Sequence, residues 1–371
     1  MSTKKDKFSK KDKKYMSLAL TLASSRHGLT GKNPSVGCVI VKNDEIISIG
    51  QTGYNGRPHA EYNAIKNSNE ILEGSTMYVT LEPCNHYGQT PPCTKAIIKN
   101  KISKVIYSVE DVDQKVKGKS FKILKSNNII VKKGLLNKEI NDFYKPYFFN
   151  RKNKRPYVTG KIAVSKNNLI YSKGKKKITD VHSDKLTHFL RYKNDSLMIT
   201  YKTLNEDNPG LDCRLEGLHK FSPKRIILDN NLEMKTSTYI FRTANKYNTV
   251  IFYNKADKSK IPIFKKKGIQ LIKSNLLKNK NFDIKIILKK LYSLGCRNLL
   301  VEGGNDLSQS FIKKKLFNQF FLFKSKKSLS KLVAYKDFNC FKDLSQKYRN
   351  KETINTKLGK DSITLYKKWY V

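Results

Sequence analysis

Three residues of types that commonly bind metal ions constrain the fold of this chain more than any other feature of its sequence. They are His59, in the tripeptide His59-Ala60-Glu61, Cys84, which follows a proline, and Cys93. One imidazole and two thiolates suit zinc and leave a fourth tetrahedral position for water. Because the histidine lies 25 residues before the first cysteine, the fold has to bring separate segments together. Glu61, two residues after the histidine, is placed to move protons and not to bind the metal.

Hydrophobic patterning in the first part of the chain predicts strands that alternate with helices. It predicts a helix over residues 15–27 and a β-hairpin over 36–41 and 46–49. The other predicted helices cover 61–67, 94–99 and 121–126, and the other strands cover 76–81, 104–109 and 129–131. Two of these helices begin beside the metal ligands, each after a strand, so the ligands can converge on one ion. The pattern predicts a layered α/β domain that ends near Asn150.

A length of 371 residues predicts a second domain. Residues 151–156 are charged, non-periodic and closed by a proline, which is typical of a linker. Beyond them the alternation resumes, with strands predicted over 157–164, 196–200, 225–228, 249–253 and 299–301, and helices over 183–191, 284–294 and 307–313. Val301-Glu302-Gly303-Gly304 forms a strand–turn–helix unit whose glycines would let the backbone approach a phosphate. A simple tight turn remains an alternative.

The net charge of +45, from 75 Lys and Arg against 30 Asp and Glu, could indicate a nucleic-acid partner. However, the lysines are spread through every segment, whereas a nucleic-acid footprint would cluster on one face. We therefore expect no nucleic-acid partner. The Lys-rich residues 1–14 are predicted to form a flexible tail.

Several features predict a cytoplasmic protein with no membrane partner. No uninterrupted apolar run approaches 18 residues, and the polar start of the chain lacks the apolar stretch of a secretory signal. Two of the six cysteines lie in the metal motif, and the others are scattered, as in a reducing cytosol.

Two interpretations of the metal motif are open. In a structural zinc site a fourth protein ligand is needed, and His86 could supply it. In a catalytic site the fourth position holds water, and Glu61 serves as the proton carrier. The second arrangement is the one that zinc-dependent base deaminases use to attack an amino-bearing ring carbon. A structural site has no need of Glu61, so the sequence favours the catalytic interpretation.

Segments from both parts of the chain resemble the bifunctional deaminase–reductases of riboflavin biosynthesis. In the first part these are residues 33–41, 59–61 and 79–93, with an eight-residue insert between the two cysteines that contains Thr90-Pro91-Pro92. In the second part they are residues 161–165, 190–191, 203–211 and 301–304. The resemblance implies an α/β chain in which a cytidine-deaminase-like three-layer domain, over 12–150, precedes a dihydrofolate-reductase-like domain, over 155–371.

The resemblance also implies roles for residues of the deaminase domain. His59, Cys84 and Cys93 would bind Zn²⁺, and Glu61 would be the proton shuttle. Asn33 and His86 would line the substrate pocket. One position departs from the family, because Gln89 stands where a basic residue suited to the substrate phosphate is usual.

In the reductase domain the resemblance implies two sets of contacts. The residues expected to contact NADPH are Ala163, Thr203, Asp207, Gly304, Asn305, Asp306, Leu307, Ser308, Gln309 and Ser310. The residues expected to contact the substrate are Arg191, Leu211, Arg214 and Glu302. This domain departs from the family at Asn167-Asn168, in place of Asp-Gly, at Lys177, in place of tryptophan, and in the polar tail from Lys324.

The predicted function is therefore a two-step enzyme of riboflavin synthesis with a small phosphorylated pyrimidine as its substrate. Its first domain would deaminate a diaminohydroxy-phosphoribosylaminopyrimidine with zinc, and its second would reduce the ribosyl group of the product with NADPH. The alternatives are a deaminase with a degenerate reductase domain, a nucleic-acid base deaminase, and a non-catalytic zinc module. Assembly into a homo-oligomer is left open.

Overall fold

The computed structural model describes residues 8–170, 177–246, 248–329, 336–354 and 359–368. The chain divides into two compact units, with the boundary between Lys154 and Arg155. Among the described residues, no helix has the length and apolar character needed to cross a membrane.

Among its described residues, the first unit contains five strands and five helices, together with a 3-10 turn at Tyr54–Gly56. In chain order the elements are α1 (Lys10–Ser25), β1 (Gly37–Lys42), β2 (Glu45–Gln51), α2 (Ala60–Lys66), β3 (Thr76–Leu81), α3 (Cys93–Lys99), β4 (Lys104–Val109), α4 (Lys119–Ser126), β5 (Ile130–Lys133) and α5 (Asn137–Asn153). The strand order is β2-β1-β3-β4-β5. The predicted hairpin of β1 and β2 is confirmed, and β3, β4 and β5 are parallel.

Two glycines show that helices cover both faces of this sheet. A Cβ atom on Gly37 would lie 1.9 Å from the backbone oxygen of Ala19 in α1, and one on Gly50 would lie 2.2 Å from that of Ala60 in α2. Gly50 pairs with Cys38, the neighbour of Gly37. Because paired residues face the same side and successive residues face opposite sides, α1 and α2 lie on opposite faces. The three-layer architecture predicted for this domain is therefore confirmed.

Two local predictions in the first unit are wrong. Helix α1 begins at Lys10, inside the predicted flexible tail, because Ser9 and Asp12 form a reciprocal capping box. Residues 1–7 of that tail lie outside the described residues. The predicted linker over 151–156 is also helical at its beginning, since α5 continues to Asn153. This helix was not predicted, although it buries Ile140, Tyr144 and Phe149.

The second unit contains the remaining elements, together with a 3-10 turn at His219–Phe221. In chain order they are β6 (Tyr157–Val164), β7 (Leu169–Ile170), α6 (Val181–Tyr192), β8 (Ser196–Thr200), α7 (Tyr201–Asp207), β9 (Lys224–Leu228), α8 (Tyr239–Arg242), β10 (Thr249–Tyr253), α9 (Lys260–Lys266), β11 (Gln270–Lys273), α10 (Ile284–Ser293), β12 (Asn298–Val301), α11 (Asn305–Lys313), β13 (Gln319–Lys324), β14 (Lys336–Asp337), α12 (Phe341–Lys347), β15 (Asn350–Ile354) and β16 (Ser362–Lys367).

Nine of these strands form one mixed sheet in the order β11-β10-β9-β8-β12-β6-β13-β16-β15. The strands from β11 to β13 are parallel to one another, whereas β16 and β15 are antiparallel to their neighbours. β7 and β14 form a separate antiparallel pair. The carboxyl ends of β8, β12 and β6 therefore lie side by side at one edge, where ligands bind in open parallel sheets.

Candidate active sites

The three predicted metal ligands converge in the first unit. His59 is the residue before α2, Cys84 follows β3, and Cys93 is the first residue of α3. The His59 Nδ1 atom lies 3.3 Å from Cys93 Sγ and 3.5 Å from Cys84 Sγ. The ligand atoms all lie within 4.8 Å of one another. In a tetrahedral zinc site, Zn–N and Zn–S bonds of about 2.0 and 2.3 Å place such atoms roughly 3.6 Å apart. The donor set and its spacing therefore fit zinc.

This group contains three residues among the described part of the chain, and His86 does not belong to it. The fourth ligand that a structural site needs is therefore not supplied by the residue that the sequence suggested. An open fourth position is typical of catalytic zinc.

The electrostatics of the cluster suit both metal binding and proton transfer. The hydrogen bond from the Cys93 thiol lowers the pKa of Cys84 well below its ordinary value, which favours the thiolate that a metal requires. Glu61 lies in the first turn of α2 and is 4% exposed. Its burial raises its pKa to about 6. A carboxyl group that titrates near neutrality can both accept and return a proton.

The two residues expected to line the substrate pocket lie in segments that border the metal ligands. Asn33 Nδ2 donates a 2.9 Å hydrogen bond to the Gly56 carbonyl, three residues before His59. His86 follows Cys84 by two residues, and its Nδ1 atom is buried without a hydrogen-bond partner. The Oδ1 atom of Asn85 is also buried without a hydrogen-bond partner. Buried polar atoms usually have partners, so these two atoms are suited to bind a ligand. Asn85 had no role in the sequence analysis.

In the second unit, Arg191 and Glu302 meet although they are 111 residues apart. Arg191 Nε donates to Glu302 Oε1 at 2.7 Å, and Nη2 donates to Oε2 at 2.8 Å. The two side chains are 10% and 14% exposed. Burial alone would raise the pKa of Glu302, but the charge and hydrogen bonds of Arg191 outweigh burial and hold that pKa below the ordinary value. The pair lies where α6 meets the end of β12.

The other predicted substrate residues lie beside this ion pair. Leu211 is buried and has a φ of 54°, and the carbonyl of the next residue, Asp212, accepts a 3.1 Å hydrogen bond from Arg191. Arg214 is exposed and forms an ion pair of 3.5 Å with Asp212. His188 and Lys161 act electrostatically on Glu302. The sequence analysis did not predict a role for His188 or Lys161 beside Glu302, because the three residues share no short-range motif.

Most of the residues expected to bind NADPH lie at the shared carboxyl edge of β8, β12 and β6. Ala163 is the penultimate residue of β6, Thr203 is in the first turn after β8, and α11 begins directly after the turn that follows β12. Asp207 is at the other end of α7 and is exposed. The topology therefore brings segments from three separate parts of the chain to one edge.

Gly304 provides a test of whether this edge fits a nucleotide. It precedes α11, and a Cβ atom on it would meet nothing within 4 Å. Its φ of −65° does not require glycine. The open space above the backbone at a helix N-terminus is the arrangement that suits a phosphate group. Leu307 and Ser308 are buried in α11, so their side chains face the protein core. The expected contacts of Asn305, Asp306, Gln309 and Ser310 involve half-buried or exposed side chains.

One departure from the family has a structural explanation. Asn168 adopts a φ of 64° in the turn between β6 and β7. Asparagine tolerates this left-handed conformation better than most residues other than glycine, so it can replace the glycine of the usual Asp-Gly pair. Lys177 is exposed and forms an ion pair with Asp184. In the polar tail, residues 330–335, 355–358 and 369–371 lie outside the described residues.

Comparison with known proteins connects both units to one family. Residues 9–109 match the model of the cytidine and deoxycytidylate deaminase zinc-binding region, and residues 156–325 match that of the RibD C-terminal domain. The riboflavin biosynthesis protein RibD of Aquifex aeolicus is 35% identical over 361 residues, covering 96% of this chain and 99% of the relative. The RibD protein of Actinobacillus pleuropneumoniae is 36% identical, covering 83% and 82% of the two chains.

The chain belongs to the RibD family. A solved structure of RibD from Acinetobacter baumannii has a TM-score of 0.83 with 26% identity, and covers 97% of this chain and 99% of its own. A deaminase/reductase structure from Thermotoga maritima has a TM-score of 0.81 with 27% identity and the same coverage. The predicted fold, a cytidine-deaminase-like domain followed by a dihydrofolate-reductase-like domain, is confirmed.

RibD membership also resolves the choice between the predicted functions. The match extends through both domains, so the protein is a bifunctional riboflavin biosynthesis enzyme with a zinc-binding deaminase region and a reductase domain.

Proposed function

We propose that the first unit hydrolytically deaminates a diaminohydroxy-phosphoribosylaminopyrimidine and that the second unit reduces the ribosyl group of the product with NADPH. The Thermotoga maritima protein is described as a diaminohydroxyphosphoribosylaminopyrimidine deaminase and 5-amino-6-(5-phosphoribosylamino)uracil reductase. The observation that carries the proposal is the convergence of His59, Cys84 and Cys93 beside the buried Glu61, within a chain that matches RibD along nearly its whole length.

In the deaminase unit, His59, Cys84 and Cys93 would hold the zinc ion. Zinc, when bound, supplies an acidified water that is nucleophilic at neutral pH. Glu61 would carry two protons from water in turn, the first to the ring nitrogen when the C–O bond forms and the second to the amino group, which leaves as ammonia when the C–N bond breaks. Its burial keeps its pKa close to neutrality, so both transfers are available to the same carboxyl group. Asn33, Asn85 and His86 would orient the pyrimidine.

In the reductase unit, the edge formed by Ala163, Thr203 and the start of α11 would bind the nucleotide, with Asp207 at the margin. NADPH, when bound, supplies the hydride. Arg191 would bind the substrate phosphate with the donors that Glu302 leaves free, and Leu211 and Arg214 would border it. An arginine held by a carboxylate keeps its guanidinium in a fixed orientation.

The proposal also includes a cytoplasmic location and a small-molecule substrate in place of nucleic acid. All six cysteines are free, which agrees with a reducing compartment. Assembly into a homo-oligomer is left open, and sedimentation of the purified protein tests it.

Incubation of the zinc-loaded protein with the phosphoribosylamino-pyrimidine, with and without NADPH, tests both steps. We expect ammonia release in both conditions and NADPH oxidation only after deamination. NADH in place of NADPH tests the choice of cofactor. Absence of ammonia release would contradict the deaminase assignment, and ammonia release without NADPH oxidation would contradict the reductase assignment.

A further inference from the structure

We propose that Arg57 binds the phosphate group of the deaminase substrate. It would replace the basic residue that is usual in the family at the position of Gln89. This inference rests on the proposed function, because it concerns the substrate of that site. Arg57 lies two residues before the metal ligand His59 and is half-buried.

The guanidinium of Arg57 lies against the loop between the two cysteine ligands. Its Nη1 atom donates a hydrogen bond to Thr90 Oγ1. Its Nη2 atom lies 3.2 Å from the place that a Cβ atom on Gly88 would occupy. The absence of a side chain at Gly88 therefore allows the guanidinium to approach the loop. The contact connects the segment before His59 with the segment before Cys93.

Backbone hydrogen bonds hold both partners of this contact in place. Gly53 donates to the Pro58 carbonyl at 2.9 Å, which closes the turn that carries Arg57. Gly88 donates to the Thr90 carbonyl at 3.2 Å, which closes the facing turn. Asn33 supports the first turn through its hydrogen bond to Gly56. A cation held on such a scaffold loses little freedom when it binds an anion.

The charge of Arg57 is not compensated by an acidic side chain. Among the described residues, no carboxylate lies within ion-pair distance of its guanidinium. Thr90 is a neutral acceptor and uses one of the five N–H donors of the guanidinium. The remaining donors are sufficient for a phosphate, which arginine binds through two parallel hydrogen bonds.

The loop itself offers no other strong cation for this purpose. The eight residues from Asn85 to Pro92 include no lysine or arginine. Lys95 follows the loop by three residues, but its ammonium donates to the Tyr87 hydroxyl and lies 4.8 Å from the centre of that ring. Lys95 is exposed, so its interaction with an anion would be screened by solvent.

Steady-state kinetics of the zinc-loaded, full-length protein test the proposal with two substrates, the phosphorylated pyrimidine and its dephosphorylated counterpart. For Arg57→Gln we expect KM for the phosphorylated substrate to rise about 10- to 100-fold, because charge-assisted hydrogen bonds are lost. We expect kcat to change less than about threefold, and KM for the dephosphorylated substrate to stay unchanged. Lys95→Gln is the matched control and should leave both KM values unchanged.

Two further variants separate a phosphate contact from a structural role. Arg57→Lys keeps the charge and should retain part of the preference for the phosphorylated substrate, without the two-pronged geometry. The double variant Arg57→Gln/Gln89→Arg should recover part of that preference, because it returns a cation to the facing loop. Competitive inhibition by ribose 5-phosphate should weaken in Arg57→Gln and not in Lys95→Gln.

Equal losses for both substrates in Arg57→Gln and Arg57→Lys, or a loss of phosphate preference in Lys95→Gln alone, would overturn the proposal. Zinc content and melting temperature are measured for every variant, so that a folding defect is recognised. Failure of the wild-type protein to release ammonia would instead contradict the proposed function, and this outcome is independent of Arg57.

Discussion

At the scale of single residues, the two units place glutamates in opposite electrostatic settings. Burial raises the pKa of Glu61 to about 6, whereas the Arg191 ion pair outweighs burial at Glu302 and lowers the pKa of that residue. The first setting suits a group that exchanges protons, and the second suits a group with a permanent charge. The same residue type therefore serves different purposes because its surroundings differ.

The variant Glu61→Gln should retain zinc, because Glu61 is not one of the three clustered ligands, but should release ammonia about 10²- to 10⁴-fold more slowly. Metal analysis and an ammonia assay measure the two properties separately. Glu70→Gln, at an exposed position four residues beyond α2, is the control. Undiminished ammonia release in Glu61→Gln would exclude Glu61 as the proton carrier.

The variant Gly304→Ala should leave the fold intact, since the added Cβ atom meets nothing within 4 Å. It should weaken NADPH binding about 10-fold, because the methyl group would occupy the space proposed for a phosphate. Fluorescence titration with NADPH and a thermal melt of the same sample measure the two effects. Unchanged NADPH affinity would place the phosphate elsewhere on this edge.

Residue chemistry was predictable where it depends on short motifs, and not where it depends on contacts across the fold. The types and order of His59, Cys84 and Cys93 are sufficient to indicate zinc. The unpartnered Oδ1 atom of Asn85 and the contact of Arg57 with Thr90 became visible only in three dimensions. Pairings of this kind leave no periodic trace in the sequence.

At the scale of secondary-structure elements, each active site is assembled from the ends of elements that are far apart in the sequence. In the first unit the ligands lie at the beginnings of α2 and α3 and after β3. In the second unit the ion pair of Arg191 and Glu302 connects α6 with the turn that follows β12. Elements of rigid geometry hold functional groups more accurately than long loops do.

Removing one partner of this ion pair should destabilise the second unit. For Glu302→Gln or Arg191→Met we expect a loss of about 3–5 kcal/mol in the free energy of unfolding, because a buried charge is left without a partner. The double variant should lose less than the sum of the single variants. Unfolding in urea, monitored by hydrogen exchange in peptides from α6, measures the change in stability. If the losses of the two single variants add up to that of the double variant, the two side chains do not interact directly.

The stabilisation by Glu302 should also depend on pH. Its pKa in the folded protein is below the ordinary value of 4.5, so the stabilisation is complete above pH 4.5 and is lost as the pH falls through the folded-state pKa. The difference in stability between wild type and Glu302→Gln should therefore shrink below pH 4.5. A difference that is constant with pH would contradict the ionised pair.

The strands of the first unit were predicted closely, whereas elements of both units were missed. Strands β3 and β4 have the predicted limits, because their continuous apolar runs are typical of buried parallel strands. Strand β15 was missed, because most of its residues are exposed and carry no hydrophobic pattern. Helix α5 was missed because its apolar positions are interrupted by charged residues and a proline.

At the scale of the whole molecule, two units with separate cores carry two separate chemistries. Each unit has its own sheet, and the clustered metal ligands all belong to the first. The positive residues behind the net charge of +45 are distributed along the entire sequence. Such a distribution is more typical of a uniformly charged surface than of one dedicated binding face.

Removal of zinc by a chelator should abolish ammonia release and leave the reduction of pre-deaminated substrate by NADPH largely intact. The reason is that none of the clustered metal ligands lies in the second unit. Ammonia formation and NADPH oxidation, measured on the same sample before and after zinc is restored, provide the comparison. A parallel loss of both activities would indicate that the reductase also depends on the metal.

The types of the zinc ligands, the alternation of strands and helices and the presence of two domains could all be predicted from the order of the amino acids. These properties depend on residue types and on short-range periodicity, which are local. Three further properties became visible only in the folded protein: Glu302 pairs with Arg191, Arg57 contacts the loop before Cys93, and β8, β12 and β6 end at one edge. Each of these depends on the order in which strands pair, because pairing brings together residues whose separation along the chain carries no signal of their contact.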